Sequence, residues 1–314
     1  MTASMDVAIV GRIGYDLYSD ESHVPLAKAT RFSRYLGGSS ANMAVGLSRL
    51  GAQVGIAAAV GTDALSDFLV ACLKSEHVDT QYVRRVPGAL PSLCLTEISP
   101  PDKFPQVFYR NNPADVQLDL DEKTLAYLGT GRLFITNGTS LCASPSREST
   151  YRAIESAKAA DSQVVLDVDY RSMSWRRPED AGLGIRLALP MVDVLIGNDL
   201  ELKLVAGVDD LDGAARALRP RVKMLVSKLG AEGTRVWTDD GPVFMPPYDV
   251  DVLSTIGAGD GFASGFLYAL LQDKSIEECL HYGNAAAAIV VSRQSCSEAM
   301  PTLEEVETMI REQS

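Results

Sequence analysis

A glycine-rich turn near the C-terminal end of the chain carries the sharpest chemical signal in the sequence. It reads Gly257-Ala258-Gly259-Asp260 and follows a strand-like apolar run that begins at Val250. An amphipathic helical pattern begins directly after it, near Phe262. Glycines let backbone N–H groups converge at the N-terminus of a helix, where the helix dipole also favours negative charge. The spacing therefore predicts an anion site formed by the amides of the turn.

Asp260 suggests that this turn does chemistry. A carboxylate repels a bound phosphate, although acidic residues are also common in the first turn of a helix, where they only complement its dipole. Phosphoryl transfer to a hydroxyl needs a proton acceptor for the nucleophile and fixed donors for the charge on the phosphoryl oxygens. Asp260 and the turn amides could supply both. The sequence leaves the purely structural role of Asp260 as the alternative.

Two other nucleotide-binding motifs are excluded. The sequence has no G-x-x-x-x-G-K-[ST] loop. The dinucleotide-binding spacing fails because Phe262 stands where the last glycine would be required, and only about fifty residues follow it. The turn is therefore expected to bind a different anion.

Composition narrows the class of protein. The chain has 314 residues, of which 46% are hydrophobic and 22% charged, as in a globular protein with a sizeable core. Its net charge of −12 argues against a nucleic-acid partner or an anionic membrane surface. No apolar run is long enough to span a membrane, and the N-terminus lacks a basic leader, so we expect a cytoplasmic protein. Its 5 cysteines and 3 histidines show no metal-ligand or disulfide spacing.

Apolar runs alternate with helical patterns along the chain. This alternation predicts an α/β fold with a doubly wound, mostly parallel sheet and helices on both faces. Ser39 or Ser40 is placed to cap the first helix. No linker or repeat divides the chain, so residues 1–314 are expected to form a single domain. The predicted strands are Val7 to Val10, Val54 to Val60, Leu133 to Thr136, Val164 to Val168, Val194 to Ile196 and Met224 to Val226.

Two stretches, about 14–36 and about 87–110, fit this alternation poorly. Within the second, Val107 and Tyr109 alternate with their neighbours as in an exposed strand. We predict that the two stretches form a small β-sheet lid. The alternative is a pair of long surface loops, which are uncommon in a compact domain. Exposed strand edges in such a lid could pair between two chains and form a homodimer.

Five motifs in order resemble those of the ribokinase-like (phosphofructokinase-B type) family of ATP-dependent sugar kinases, over nearly the whole chain. GRIGYD (residues 11–16) is similar to the first-strand segment of that family, and LGGSSAN (36–42) to its di-glycine signature. NDLE (198–201) is similar to the N-x-x-E motif, and SKLGAEG (227–233) to the nucleotide-cradling segment. GAGD (257–260) is similar to the anion hole with its base. The resemblance implies a ribokinase-like fold and kinase activity.

The resemblance also implies a role for individual residues. Asp260 would be the catalytic base, with Gly257, Ala258 and Gly259 in the anion hole. Substrate hydroxyls would be contacted by Asp16, Gly37, Gly38 and Asn42. ATP would be held by Asn198, Ser227, Lys228, Gly230, Gly233 and Asn284. Mg²⁺ would be held, largely through water, by Glu201 and Asn198.

The residues alone support part of this assignment. Asp16, Asn198, Ser227 and Asp260 each follow a predicted strand closely, and ligands of open α/β sheets bind beyond the carboxyl ends of the strands. The alternatives are that Asn198 only caps a helix beginning near Leu200 and that Asp16 is a turn residue. Ser254 and Ile256 stand where many family members have aspartate and threonine. Because that aspartate helps to bind a monovalent cation, the resemblance leaves a K⁺ requirement open.

Two arginines point to the class of substrate. Arg110 ends a predicted lid strand and Arg171 follows a buried strand. The planar guanidinium group suits a carboxylate, so either arginine could bind an acid group or form a salt bridge. In the 2-keto-3-deoxygluconate kinases of the family, similar segments bracket the acid group, which implies the same role for Tyr109, Arg110 and Arg171.

Two longer stretches, FPQVFYRNNPAD (104–115) and LDVDYRSMSW (166–175), resemble a branch of the family that acts in inositol catabolism. The implied reaction is phosphorylation of the terminal hydroxyl of a keto-deoxy sugar acid, 5-dehydro-2-deoxy-D-gluconate, by ATP. The alternatives are 2-keto-3-deoxygluconate or a neutral sugar such as fructose or ribose as the acceptor. A protein of a different class, which binds sugar or nucleotide without catalysis, is the remaining alternative.

Overall fold

The computed structural model describes residues 5–100 and 103–313. Strands and helices alternate through most of this part of the chain, as the sequence predicts. The strands are β1 (Val7–Val10), β2 (Gly14–Ser19), β3 (Phe32–Gly37), β4 (Val54–Val60), β5 (Asp79–Arg85), β6 (Ser92–Thr96), β7 (Gln106–Tyr109), β8 (Leu133–Asn137), β9 (Gln163–Asp167), β10 (Val194–Asn198), β11 (Met224–Lys228), β12 (Thr234–Thr238) and β13 (Gly241–Met245). The helices are α1 (Ser39–Arg49), α2 (Ala64–Ser75), α3 (Glu122–Leu128), α4 (Ser146–Ala159), α5 (Pro178–Ala188), α6 (Asp199–Ala206), α7 (Leu211–Leu218), α8 (Ala258–Leu271), α9 (Ile276–Val291) and α10 (Leu303–Gln313).

The larger sheet contains nine strands of the described chain, in the order β13-β12-β11-β10-β9-β8-β1-β4-β5. The strands from β11 to β5 run parallel, while β12 is antiparallel to both of its neighbours. Every residue of β4 is buried, as expected for a parallel strand covered on both faces. The predicted mostly parallel sheet is confirmed, and each of the six predicted strands is present.

Helices cover both faces of this sheet. On one face, the apolar sides of α1, α2, α8, α9 and α10 form a single buried cluster with the sheet. On the other face, α3 to α7 contribute to a second cluster. The doubly wound arrangement is therefore confirmed. In the described residues, no helix combines the length and the apolar character that a membrane span requires.

The second sheet is small and has the order β3-β2-β6-β7. Its strands come from the two stretches that the sequence predicts as a lid, so that sheet is confirmed. Val107 and Tyr109 on the edge strand β7 are 47% and 65% exposed. Residues that alternate with them, Gln106 and Phe108, face the cavity described below.

The segment before the glycine turn differs from the prediction. The run that begins at Val250 is not a strand, although it is rich in β-branched residues. The N–H groups of Leu253 and Ser254 instead donate to the carbonyl oxygen of Val291, the last residue of α9. A C-terminal helix carbonyl lacks an intrahelical partner, and this acceptor holds the segment beside α9. Asp260 therefore follows a loop that is hydrogen-bonded to the end of α9, and it does not follow a strand.

Two further predictions of position are corrected. Asp16 lies within β2, Ser227 lies within β11 and Asn198 is the last residue of β10, whereas the sequence predicts all three just beyond the ends of strands. The cap of α1 is Gly38, with no side-chain cap, and not Ser39 or Ser40. Ser39 has a different hydrogen-bond partner, Asp260.

Candidate active site

A cavity of about 810 Å³ lies between the small sheet and the carboxyl ends of the parallel strands. The small sheet contributes Asp16, Cys94, Gln106 and Phe108 to its wall. The strand ends contribute Asp167, Asn198 and Lys228, and the glycine turn closes a third side. This is the edge at which ligands of open α/β sheets bind.

Asp260 is fixed in this cavity by two side chains from helix α1. Ser39 Oγ donates to Asp260 Oδ1 at 2.8 Å, and Asn42 Nδ2 donates to Oδ2 at 2.7 Å. Burial raises the pKa of Asp260 above its usual range, and the charge of Asp169 adds to this effect, while the two hydrogen bonds oppose it. A carboxylate with a raised pKa and fixed orientation is suited to accept a proton.

The turn itself presents backbone donors. Gly257 has φ +83°, a left-handed conformation, and a Cβ there would lie 3.0 Å from Cys296 Sγ. It begins α8 without a side-chain cap. The first N–H groups of a helix lack intrahelical acceptors, so those of Gly259 and Asp260 are available to an anion. The N–H of Ala258 donates to the carbonyl oxygen of Thr255 at 3.4 Å.

Lys228 brings a positive charge to the same turn. Its Nζ donates to Asp167 Oδ2 at 2.7 Å, and a Cβ at Gly259 would lie only 3.3 Å from this Nζ. Burial opposes protonation of Lys228, but the carboxylates of Asp167 and Glu201 outweigh it and hold the pKa above the usual lysine value. The ammonium group therefore stays charged beside the turn amides.

Asn198 and Glu201 form a reciprocal cap on α6. Asn198 Oδ1 accepts from the Glu201 N–H at 2.9 Å, and Glu201 Oε2 accepts from the Asn198 N–H at 2.8 Å. Glu201 Oε1 also accepts from the N–H of Tyr170. The capping role considered for Asn198 is present, and both side chains also line the cavity.

The structure supports water-mediated coordination of Mg²⁺ better than direct coordination. Glu201 is buried, and each of its carboxylate oxygens already accepts one backbone hydrogen bond. Remaining lone pairs can still accept from a metal-bound water, as Mg²⁺ usually keeps several waters. No group of three or more His, Cys, Asp or Glu side chains is placed to hold a metal within the described residues. The residues fit an ion held mainly by phosphates and water.

The other predicted nucleotide residues divide into two groups. Lys228, Gly230, Gly233 and Asn284 line the cavity. Gly233 has φ +103°, and a Cβ there would lie 2.2 Å from the carbonyl oxygen of Met245. Asn284 accepts from Thr234 Oγ1 and donates to the carbonyl oxygen of Pro246, so its amide joins α9 to β12 and to the residue that follows β13. Ser227 is buried in β11 and does not line the cavity.

Asp16 from β2 of the small sheet and Arg171, which follows β9 of the main sheet, both line the cavity. Burial raises the pKa of Asp16 to about 6, although the positive charges of Arg12 and Arg171 oppose this shift. Gly37 makes room for this carboxylate, because a Cβ there would lie 2.2 Å from Asp16 Oδ2. Gly38 has φ +95°, and a Cβ there would lie 2.6 Å from the carbonyl oxygen of Arg12.

Tyr109 and Arg110 are not brought to the cavity. The Tyr109 side chain is on the solvent face of β7 because residues alternate along a strand. Arg110 forms a buried ion pair with Asp115, at 2.7 Å between Nη2 and Oδ2, and both side chains are 5% exposed. This pair satisfies the guanidinium within the protein. Neither residue lines the cavity in this structure, and their contact with a bound acid group stays a prediction.

Sequence reasoning missed several residues that line the cavity. Arg12, which lies between β1 and β2, is buried there, as are Asp167, the last residue of β9, and Asp169, which comes two residues later. Phe104 and Phe108 supply apolar walls from the lid. The signal for Phe108 was present, since Val107 and Tyr109 were expected on the exposed face of the same strand.

Comparison with known proteins agrees with this geometry. The model of the pfkB family carbohydrate kinases matches residues 4–303. A relative named 5-dehydro-2-deoxygluconokinase, from Clostridium botulinum (strain Alaska E43 / Type E3), is 35% identical over 315 residues, which cover 98% of this chain and 93% of the relative.

Two solved structures are similar along almost their entire length. The PfkB protein from Polaromonas sp. JS666 has a TM-score of 0.84 and 27% identity, with 96% of this chain and 99% of that chain covered. A protein from E. coli, solved with ATP and Mg²⁺ under the name ribokinase II, has a TM-score of 0.89 and 21% identity, with 98% and 99% covered. The second likeness shows the fold alone. Together with the family match over nearly the full length, these findings show that the chain belongs to the pfkB family of carbohydrate kinases.

Proposed function

We propose that this sugar kinase transfers the γ-phosphoryl group of ATP to the terminal, C6 hydroxyl of 5-dehydro-2-deoxy-D-gluconate, in inositol catabolism. The observation that carries the reaction is the placement of Asp260, with its raised pKa, on the first turn of α8 beside free backbone donors. The acid substrate is supported by Arg171 in the same cavity and by relatives that carry the name 5-dehydro-2-deoxygluconokinase. Since ATP is abundant in the cytoplasm, the reaction is proposed to take place there.

Asp260 accepts the proton of the attacking hydroxyl. Ser39 and Asn42 hold its two oxygens, so the carboxylate needs no reorganisation as the new bond forms. The N–H groups of Ala258, Gly259 and Asp260 donate to the oxygens of the transferred group. For Ala258, this requires exchange of its long hydrogen bond to Thr255.

Lys228 stabilises negative charge on the same oxygens. Its ammonium group lies beside Gly259 and is held there by Asp167. Mg²⁺, when bound, neutralises the phosphates, and Asn198 and Glu201 would orient its waters. Gly230, Gly233 and Asn284 shape the wall against which the nucleotide is proposed to lie.

The sugar acid is proposed to bind on the lid side of the cavity. Asp16 would accept hydrogen bonds from the hydroxyls of the substrate. Asn42 has an Oδ1 that is buried without a hydrogen-bond partner among the described residues, and it can accept another. Arg171 would donate to the carboxylate. The lid residues Phe104 and Phe108 would exclude water, which otherwise competes as phosphoryl acceptor.

A substrate panel tests this function. Purified protein is given Mg²⁺ and ATP with one acceptor at a time, and ADP release is measured. The acceptors are 5-dehydro-2-deoxy-D-gluconate, 2-keto-3-deoxy-D-gluconate, fructose and ribose. We expect the highest kcat/KM for the first. A higher value for a neutral sugar would contradict the acid substrate, and ligand binding without ADP release would contradict catalysis.

We also propose a homodimer formed through the lid. The edge strand β7 carries the exposed side chains of Val107 and Tyr109, and an exposed apolar edge strand readily pairs with a second copy. Val107→Lys places a charge in that edge, so we expect it to shift the molecular mass found by sedimentation equilibrium from dimer to monomer. A monomeric wild-type protein would contradict the proposed dimer.

A further inference from the structure

Arg12 is a buried cation that the proposed catalytic steps do not use. It follows β1 and lies on the wall of the cavity, and its side chain is only 7% exposed. Long charged side chains are rarely buried to this extent unless they are paired or bind a ligand.

The hydrogen-bonding capacity of Arg12 is incompletely satisfied. Its Nε has no hydrogen-bond partner among the described residues. Its Nη2 is 3.8 Å from Asp169 Oδ2, which is too long for a hydrogen bond. A buried donor without an acceptor is costly, so an acceptor supplied by a ligand would remove this cost.

Asp169 connects Arg12 to the other arginine of the cavity. Arg171 Nη2 lies 3.0 Å from Asp169 Oδ1, while Thr139 Oγ1 donates to Oδ2 at 2.9 Å. Both guanidinium groups therefore lie near one carboxylate at the same end of the site, and only Arg171 is within hydrogen-bonding distance of it. The unsatisfied donor belongs to Arg12.

We propose that Arg12 binds the substrate carboxylate together with Arg171 and so determines selectivity for acids over neutral sugars. This inference rests on the proposed sugar-acid function. Arg12, Arg171 and Asp16 line the same cavity, and the charges of both arginines act on Asp16, so an acid group bound by the two arginines would lie near the hydroxyls bound by Asp16. The planar fork of arginine can present two N–H groups to one carboxylate.

The experiment compares Arg12→Gln with the wild-type protein on two matched acceptors at pH 8, at which Asp16 stays ionised. One acceptor is 5-dehydro-2-deoxy-D-gluconate, and the other has a hydroxymethyl group in place of its carboxylate. We expect Arg12→Gln to lower kcat/KM for the acid by roughly ten- to a hundredfold, the range for a lost hydrogen bond to a charged group. The neutral analogue should change less than about threefold, since it lacks the group that Arg12 contacts.

Arg12→Lys is the second variant, and it tests the proposal even if Arg12→Gln does not fold. It keeps the charge but loses the planar fork, so we expect an intermediate loss for the acid. The double variant Arg49→Gln/Glu76→Gln is the control, because it replaces a part-buried arginine that does not line the cavity together with its partner. It should leave the ratio of the two kcat/KM values unchanged.

Three results would overturn the assignment of Arg12. The first is equal loss for the acid and the neutral analogue in both Arg12 variants. The second is a rise in the KM for ATP with no change in the KM for the acid, which would place the guanidinium against the nucleotide. The third is a loss of acid preference in the control. A wild-type protein without preference for the acid would instead overturn the proposed function itself. The two acceptors are therefore compared with the wild-type protein first.

Discussion

Asp260 joins two helices at the centre of the cavity. Its oxygens accept hydrogen bonds from Ser39 and Asn42 of α1, and its own backbone belongs to the first turn of α8. Asn42 was expected to contact sugar, but its Nδ2 is used to hold the proposed base. The sequence could not reveal this, because the two residues are separated by 218 positions in the chain.

The pH dependence of the reaction follows from two carboxylates with raised pKa values. Burial raises the pKa of Asp16 to about 6, and it also raises that of Asp260. Both groups act in the ionised form, so kcat/KM should fall as the pH drops below about 6. In the Asp16→Asn variant, the fall of kcat/KM at low pH should reflect the protonation of Asp260 alone. An unchanged activity between pH 7 and pH 4 would contradict both roles.

Asp260 should also lower the stability of the protein at neutral pH. Its folded pKa lies above the unfolded value of about 3.9, so the folded state binds more protons between these two values and stability falls as the pH rises through them. We therefore expect Asp260→Asn to have a higher Tm than the wild type at pH 8, with a smaller difference at pH 4. The free Oδ1 of Asn42 can accept from the new amide if the Asn42 amide rotates. A lower Tm at pH 8 would contradict this account.

At the scale of elements, the Arg110–Asp115 pair joins the lid to the main body. Arg110 directly follows β7, and Asp115 lies in a short 3₁₀ helix, Ala114–Gln117, that packs near β4. Arg110→Ala leaves a buried carboxylate without its partner, which typically costs about 3 to 5 kcal/mol. We expect a loss of this size in urea unfolding at pH 7. Arg132→Ala, which breaks an exposed pair, is the control and should change stability by less than about 1 kcal/mol.

The elements could be predicted from the sequence where local pattern and burial agree. Apolar runs such as Val54–Val60 are strands because both sheet faces are covered. The run from Val250 shows the limit of that reasoning. It has strand-like residues, but its N–H groups bond to the end of α9, a contact between distant parts of the chain. Arg110 shows a similar limit, since only the fold reveals whether its partner is a ligand or Asp115.

At the scale of the molecule, the cavity lies between the small sheet and the main sheet. The binding energy of substrates held between the two sheets could be used to close the lid over them. With a sugar acid and a non-hydrolysable ATP analogue bound, we expect slower hydrogen exchange in β6 and β7 than with either ligand alone. Strand β5, at the far edge of the main sheet, should keep its exchange rates. If the nucleotide alone slowed exchange in β6 and β7 as much as both ligands together, this would contradict closure driven by both ligands.

Several residues that line the candidate site could be found from sequence motifs because the backbone requires glycine at some positions of these motifs. Gly257 and Gly233 have positive φ, and Gly37 leaves room for Asp16. The residues that escaped prediction, such as Arg12 and Asp169, are brought to the cavity only by the fold. Their chemical identity alone does not distinguish them from surface charges.

The central claim is that Asp260 takes the proton during phosphoryl transfer. Its most direct test is the kcat of Asp260→Asn with saturating Mg²⁺, ATP and 5-dehydro-2-deoxy-D-gluconate, alongside the Kd of ADP. Removal of a general base typically costs about 10²- to 10⁴-fold, so we predict a fall of this size with the Kd of ADP within about twofold of wild type. A kcat within about tenfold of wild type would contradict the claim.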